Sequence, residues 1–405
     1  MAQNFLTPSI IAAKAAPEFF NALNMTPFID RQHSKEFSNA VGNTISIRKI
    51  TRFTAGTGAD VSSSIQDIEE GTISLVLDQR RHVAVNVTSE EMTLDIKDFN
   101  MQVIKPAMEE LAQVVETDVA SFAKAVWNQV GTPGTTPSTI ADAMLPRTRL
   151  NKLGVPSNSR AAFYEPEAAG AMAAVLATVF PTRFSELAIA EGEIRKYAGF
   201  VYMENQSIYR HTVGDHSGTP LINGAAQNVT YSTAKGTYTQ TLITDGWTSG
   251  AVNLKQGDRF TIADVLEVNP KTRQVTGDLQ VFVINADISD TTGAITMNIS
   301  PPIITSGAQQ TVDSAPADGA AIVMLGATGV SYPQNLAFQK DAFTIAFANL
   351  HAPMDNSKSA FATQDSITIR VAFDWNGTTD VNLIRFDILY GKIAQNPGFA
   401  TVHVG

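Results

Sequence analysis

Apolar and polar positions repeat with different periods along this chain, and the longest regular stretch lies at 92–130. There Ile104, Met108, Leu111, Val115, Val119, Phe122 and Val126 recur every three or four residues, while Glu109, Glu110, Gln113, Glu116, Asp118 and Lys124 lie mostly opposite. That spacing predicts one long amphipathic helix. Pro106 falls early, where a first turn tolerates it, and Gly131-Thr132-Pro133-Gly134 supplies the stop. At about 1.5 Å per residue the rod is roughly 35 to 40 Å long. Upstream, Ile10, Ile11, Ala15, Phe19, Phe20 and Leu23 predict an amphipathic helix, or a pair broken by Pro17.

Alternation takes over between these helices. After the Gly42-Asn43 turn signal, residues 44–50 read as a strand, 51–72 are rich in Gly, Ser, Thr, Asp and Glu, and 73–77 and 82–87 read as strands again. The expectation is a long two-stranded arm with a polar tip. A hairpin of this kind is marginal alone in water, so it should be stabilised by lying on a neighbour.

Residues 138–154 and 165–180 predict two further helices around a strand at 161–164, the second Ala-rich and suited to close packing. From 212 onward short runs dominate, at 238–244, 259–268, 280–284 and 294–299. Turn signals such as Thr244-Asp245-Gly246 and Asn269-Pro270 separate them. With no helix expected there, 212–329 reads as a small β-barrel or sandwich. Helix and sheet texture returns at 341–350, 366–374 and 383–391, so the β unit is an insertion into an α/β body.

Composition narrows this picture. At roughly 150 residues per domain, 405 residues suggest two to three domains. Hydrophobic residues make up 44% and charged ones 17%, below the roughly 25% of ordinary domains, which suits surface buried against other chains. The net charge of −10 argues against a protein whose main task is gripping a phosphate backbone. With no cysteine, disulfides, thiolate metal sites and a Cys nucleophile are excluded. The N-terminus lacks a basic stretch followed by an apolar one, and no apolar run reaches the roughly 20 residues of a membrane span, so a cytoplasmic, non-membrane protein is expected.

Candidate chemistry is sparse. His211 and His216 flank Asp215, but Gly214 and Gly218 mark a solvated loop and no third ligand is evident. Asp60, Asp67, Glu69 and Glu70 crowd the arm's tip without the alternating ligand pattern of a calcium loop, so pairing with basic residues, including those of another chain, is the better reading. Arg80 and Arg81, next to His82, suit such carboxylates because guanidinium binds them bidentately. With Arg52 these are the candidate inter-subunit contacts. Gly56-Thr57-Gly58 is not followed by a third glycine or a helix, and no P-loop, nucleophile elbow or zinc-protease motif occurs. No catalytic, cofactor or metal residue is assigned.

Several stretches carry a family resemblance. Tyr197-Ala198-Gly199-Phe200 stands just ahead of the insertion, and within it Leu254-Lys255-Gln256-Gly257-Asp258-Arg259-Phe260 has the pattern Leu-Lys-x-Gly-Asp-x-hydrophobic. Leu336-Ala337-Phe338-Gln339-Lys340-Asp341-Ala342-Phe343 and Leu389-Tyr390-Gly391-Lys392 follow. With the order of elements, these make the chain resemble the major capsid proteins of tailed phages with the Hong Kong 97-type fold, in the branch of short-tailed Salmonella phages that carries an inserted β-barrel.

The resemblance implies an α+β fold divided into an N-terminal arm (1–44), an extended loop overlapping an adjacent subunit (45–87), a peripheral domain with a spine helix (88–137) and an axial domain in two parts (138–211 and 330–390). The inserted barrel (212–329) is implied as a folding and stability module, and 391–405 as a C-terminal peripheral segment. It implies self-assembly, through hexamers and pentamers, into an icosahedral virion shell enclosing double-stranded DNA without sequence reading. A scaffolding protein and a portal would be partners during assembly in the bacterial cytoplasm. Lys14, Arg31, Lys35 or Arg48 could face the DNA. In that branch a hairpin of the insertion makes two-fold contacts, and the matching stretch near 231–238 is short here. No Lys/Asn constellation for covalent cross-linking is found. The alternative is a tail-associated or polysaccharide-binding adhesin that binds through 212–329.

Overall fold

The computed structural model describes residues 7–37, 42–62, 64–88, 90, 99–179, 196–351 and 359–405. These fall into two compact units, Met1–Ser46 with Ser74–Ala120 and Phe343–Ile393, and Ile47–Ile73 with Ser121–Ala342 and Ala394–Gly405.

In the first unit, one helix spans Pro8–Ala22 and continues through Pro17. The proline does not break it because Pro17 and Ala13 lie on the exposed face, where water satisfies the carbonyl that loses its partner, while Ile11, Ala12, Ala15, Ala16 and Phe19 are buried on the other. The chain is then fastened by Glu116, buried on the helix Lys105–Ala120. Its carboxylate accepts from the Met25 and Thr26 amides at 2.7 and 3.0 Å and from the Thr26 hydroxyl at 2.8 Å.

The long helix differs from its expectation at both ends. Residues 91–98 lie outside the described residues, and a wide π turn, Asn100–Ile104, leads into Lys105–Ala120. That turn supplies the five-residue spacing that Pro106, without an amide hydrogen, helps impose just beyond it. After a tight 3-10 stretch, Ser121–Ala125, helix gives way well before Gly131. Gln129–Val130 instead joins a sheet parallel to Ala400–Val404, and the Asn128 amide donates to the carbonyls of Gly398 and Ala400 at 3.2 and 2.9 Å.

The sheet of the first unit is organised by Val381–Ile393, which pairs with Gln79–Thr88, Ile367–Asn376 and Thr344–Ala348, while Ser359–Gln364 extends it beyond Ile367–Asn376. One face buries Ile369, Val371, Ile384, Phe386 and Ile388; the other exposes Arg80, His82, Ala84 and Asn86. Each such large apolar side chain contributes roughly 1.5–3 kcal/mol by burial. Phe343–Ile393 thus falls in one compact unit with Met1–Ser46 and Ser74–Ala120. The physical reason is the ten-residue pairing of Val381–Ile393 with Gln79–Thr88, from Val381 opposite Thr88 to Tyr390 opposite Gln79. Close approach matters here: a Cβ on Gly391 would stand 2.1 Å from the Val76 carbonyl oxygen.

The second unit has a mixed sheet in the order Gln129–Val130, Ala400–Val404, Ser331–Gln339, Arg160–Tyr164, Phe200–Glu204, Lys196–Tyr197. Arg160–Tyr164 is buried along its whole length, and Phe163 stacks on Phe338. Helix Ile140–Lys152 starts on a capping box, Thr139 with Asp142, and helix Pro166–Val179 follows the buried strand. The expected helix end at Phe180 lies outside the described residues.

Arg210–Thr212 pairs antiparallel with Ser331–Pro333, and the chain between them forms the barrel. Its strands run in the order Ile322–Met324, Arg259–Val268, Val275–Ile284, Ile295–Ser300, Gln240–Trp247, Gly218–Ile222. The two outer strands meet through a bridge between Leu221 and Ala321, with the Ile222 amide on the Ala320 carbonyl at 2.9 Å and the Gly319 amide on the Ile222 carbonyl at 2.8 Å. Closure removes the open edges. Phe260, Ile262, Phe282, Ile284, Met297 and Ile299 fill the interior. One helical turn, Tyr231–Ala234, stands where none was expected, closed by the Ala234 amide on the Thr230 carbonyl at 3.2 Å and followed by the Tyr238 amide on the Ala234 carbonyl at 2.7 Å.

Candidate functional site

The segment 47–73 carries the feature that most needs explaining. Ile50, Phe53, Val61, Ile65 and Ile68 are 52–77% exposed, on a stretch that strands Thr44–Arg48 and Thr72–Val76 hold as a hairpin base. Isolated apolar residues on a surface are ordinary, but five large ones between positions 50 and 68 are a concentration that calls for a partner. The loop is nevertheless ordered internally. Gln66 receives the Thr54 amide and hydroxyl at 2.7 and 2.8 Å and returns its own amide to the Thr54 carbonyl at 2.7 Å. At the tip, Asp60 accepts from the Ser62 amide at 2.9 Å, and these Ser62 hydrogen bonds hold its carboxyl below the usual range.

The candidate contact residues divide into two groups. Arg52, half-buried, and the exposed Asp60, Asp67, Glu69 and Glu70 all lie on the loop. Glu70 meets Arg48 at 3.2 Å, an exposed pair worth at most about 1 kcal/mol. Arg80 and Arg81 lie on Gln79–Thr88 in the other unit, and both reach carboxylates of that unit. Arg81 meets Asp118 at 3.1 Å, and Arg80 lies 3.5 Å from Asp387. Asp387 also binds Arg370 at 2.6 Å and Arg385 at 2.9 Å, so three arginines surround one carboxylate. Burial raises the Asp118 carboxyl, but the Tyr390 hydrogen bond with the Lys392 and Arg81 cations outweighs it and leaves the group below its ordinary value.

The base of the loop is held by the insertion. The Lys49 amide donates to the Gly71 carbonyl at 2.8 Å, the Lys49 ammonium lies 5.0 Å from the centre of the Tyr238 ring, and Arg273 donates to the Phe53 carbonyl at 2.7 Å. Burial lowers the Lys49 pKa. A cavity of about 340 Å³ lies beneath, lined by Lys49, Ile50, Arg52, Trp127, Tyr238 and Phe399 among others.

Other polar groups act as internal fasteners. His211 is buried and bonds Asp258 at 2.7 Å, so the expectation of a solvated loop at 211–216 is corrected for His211. Local spacing hid this because the partner is 47 positions away. The Leu-Lys-x-Gly-Asp pattern is explained by the same turn. Gly257 has φ +101°, the Asp258 amide reaches the Lys255 carbonyl at 3.0 Å, and the Asp258 side chain accepts the Lys255 amide at 2.7 Å. Next to it, buried Arg259 donates to the carbonyls of Val126 and Ala123 and to Gln334, at 2.8, 2.7 and 2.7 Å; burial lowers its pKa to about 10. Arg149 binds Glu267 at 2.6 and 2.9 Å.

Among the described residues no group of three or more His, Asp or Glu is placed to hold a metal, and no helix is long and apolar enough to cross a membrane. An internally ordered loop with exposed apolar side chains, a long helix packed with a sheet, and an inserted closed barrel suit a subunit that buries surface against copies of itself, the class of the tailed-phage major capsid proteins, and comparison with known proteins assigns the chain to that class. The family model described as P22 coat protein, gene protein 5, matches residues 1–404, and the chain belongs to that family. It is 23% identical over 415 aligned positions to a major capsid protein of Acyrthosiphon pisum secondary endosymbiont phage 1, covering 96% of this chain and 95% of that one. Among solved structures it is similar to a chain from Mycobacterium phage Che8, with 12% identity, a TM-score of 0.49, and coverage of 94% of this chain and 90% of that one. It is also similar to the CUS-3 coat protein I-domain, with 30% identity, a TM-score of 0.20, and coverage of 27% of this chain and 95% of that one. The protein is a self-associating component of the virion.

Proposed function

We propose that this subunit assembles through hexamers and pentamers into an icosahedral shell around double-stranded DNA, and that loop 47–73 is a principal contact with the neighbouring copy. The observation that carries this is the apolar run Ile50, Phe53, Val61, Ile65 and Ile68 exposed on an ordered loop. Burying those side chains on a neighbour supplies a gross gain on the order of 10 kcal/mol, comparable to the roughly 4–15 kcal/mol that association costs. Each contact is then modest, and closure of the shell accumulates them. Arg52, Asp60, Asp67, Glu69 and Glu70 flank the apolar run as polar rim contacts, while Arg80 and Arg81 offer what their own carboxylates leave of two guanidinium groups.

In this reading the arm, the long helix and Phe343–Ile393 form the peripheral part, and the sheet around Arg160–Tyr164 the axial part. The role is structural, without catalysis. Scaffolding protein and portal are partners during assembly in the host cytoplasm, and DNA is enclosed without sequence reading, as the net charge of −10 suits. Deleting 52–71 tests the loop: the free subunit should fold and fail to form shells, as read by circular dichroism and sedimentation. A deleted subunit that still closes shells, or that no longer folds as a monomer, contradicts the assignment.

A further inference from the structure

The insertion does more at the loop than lie near it. Both sides of the loop's base, just inside its two strands, touch residues of the insertion. On the entering side, the Lys49 ammonium sits over the Tyr238 ring at 5.0 Å, and Arg273 holds the Phe53 carbonyl at 2.7 Å. On the returning side, a Cβ on Gly71 would stand 2.6 Å from the Lys235 carbonyl oxygen and 3.0 Å from the Tyr231 hydroxyl, so backbone is pressed against the Tyr231–Ala234 turn. The Lys49 amide and Gly71 carbonyl then tie the two sides together at 2.8 Å. Tyr238 is itself braced by Trp127, ring centres 6.0 Å apart. Burial of the Lys49 ammonium over a ring makes that cation–π contact stronger than an exposed one.

We propose that Tyr231, Tyr238 and Arg273 are positioning residues for assembly: with Lys49 and Gly71 they clamp the base of loop 47–73 and set its direction in the free subunit. The inference rests on the loop being the contact with the neighbouring copy, as proposed above. A loop aimed in advance loses less conformational freedom on docking, so the clamp acts on the concentration at which shells form, and it adds to the subunit's own stability only the free energy of these few contacts. The cavity of about 340 Å³ under the clamp explains why pins are needed, since close packing does not by itself fix Lys49, Ile50 and Arg52 from below.

The test uses the full chain with Lys49→Met and Arg273→Met combined, which keep the apolar stems and remove the cation–π contact and the hydrogen bond. Two quantities are read: chymotrypsin cleavage after Phe53 in free subunits, and the threshold concentration for shell formation by light scattering. The clamp predicts cleavage and threshold each rising about ten-fold, with the subunit's urea stability lowered by no more than the matching ~1.4 kcal/mol, and recovery of the cation–π share in a Lys49→Arg, Arg273→Met variant. A folded double variant with either quantity at the wild-type value overturns the proposal. If the double variant does not fold, Arg273→Met alone is measured in the same way: a smaller rise in both quantities supports the clamp, and either one at the wild-type value overturns it. Failure of the wild-type chain itself to form shells would instead strike the reading of the loop as a contact.

Discussion

The pair Arg149–Glu267 gives the sharpest energetic test. The guanidinium meets the carboxylate in two bonds, 2.6 and 2.9 Å, with side chains 8% and 2% exposed. Burial pushes the Glu267 carboxyl up despite the cation beside it, so desolvation is the dominant influence on this group. Glu267→Leu removes the carboxylate and leaves the guanidinium with Asn128 at 3.2 Å and Asp278 at 3.8 Å. Breaking one side of a buried pair costs roughly 3–5 kcal/mol, and Asp278 places this case near 3, about two powers of ten in the folding constant. Replacing both partners, Arg149→Met with Glu267→Leu, removes the stranded charge and should return to within about 1 kcal/mol of the parent. Urea unfolding of the free subunit, followed by near-ultraviolet circular dichroism at constant m-value, measures both. A single variant within about 1 kcal/mol of the parent, or a double variant worse than the single, refutes the reasoning.

Three further expectations follow from buried groups. Glu116→Ala strands the Met25 and Thr26 amides and should cost about 2–4 kcal/mol, seen as loss of hydrogen-exchange protection at those two amides. Burial lowers the pKa of His403 from 6.5 to about 4, so the native state binds fewer protons than the unfolded one between those values. Stability is therefore full above about pH 6.5 and falls, by on the order of 3 kcal/mol, as pH drops to about 4; His403→Gln should flatten that slope in urea titrations. Gly391→Ala puts a methyl group 2.1 Å from the Val76 carbonyl oxygen and should force strands apart, lowering the melting temperature by several degrees.

What could be read from the sequence follows the range of the interactions. The buried stripe of the long helix, Met108, Leu111, Val115 and Val119, was legible because a helix writes its face every three or four residues. Its early end was not, since Asn128 turns away to satisfy carbonyls 270 and 272 positions later. The barrel's strands were legible from alternation, but its closure depends on Leu221 meeting Ala321. The five acidic and basic loop candidates stand where the polar tip put them, whereas Arg80 and Arg81 carry intrachain partners, Asp387 and Asp118, that no local pattern announces. Exposure of Ile65 and Ile68 beside Asp67 and Glu69 was hidden by the polar composition around them.

The central claim is that a folded subunit with an apolar, pre-aimed loop closes into a shell with copies of itself. Electron microscopy of the full chain produced with its assembly partner tests this most directly. Closed particles tens of nanometres across are the predicted result, with density for residues 50–68 lying on an adjacent subunit. Monomers or small oligomers alone, or shells in which that segment contacts only its own subunit, would contradict the account.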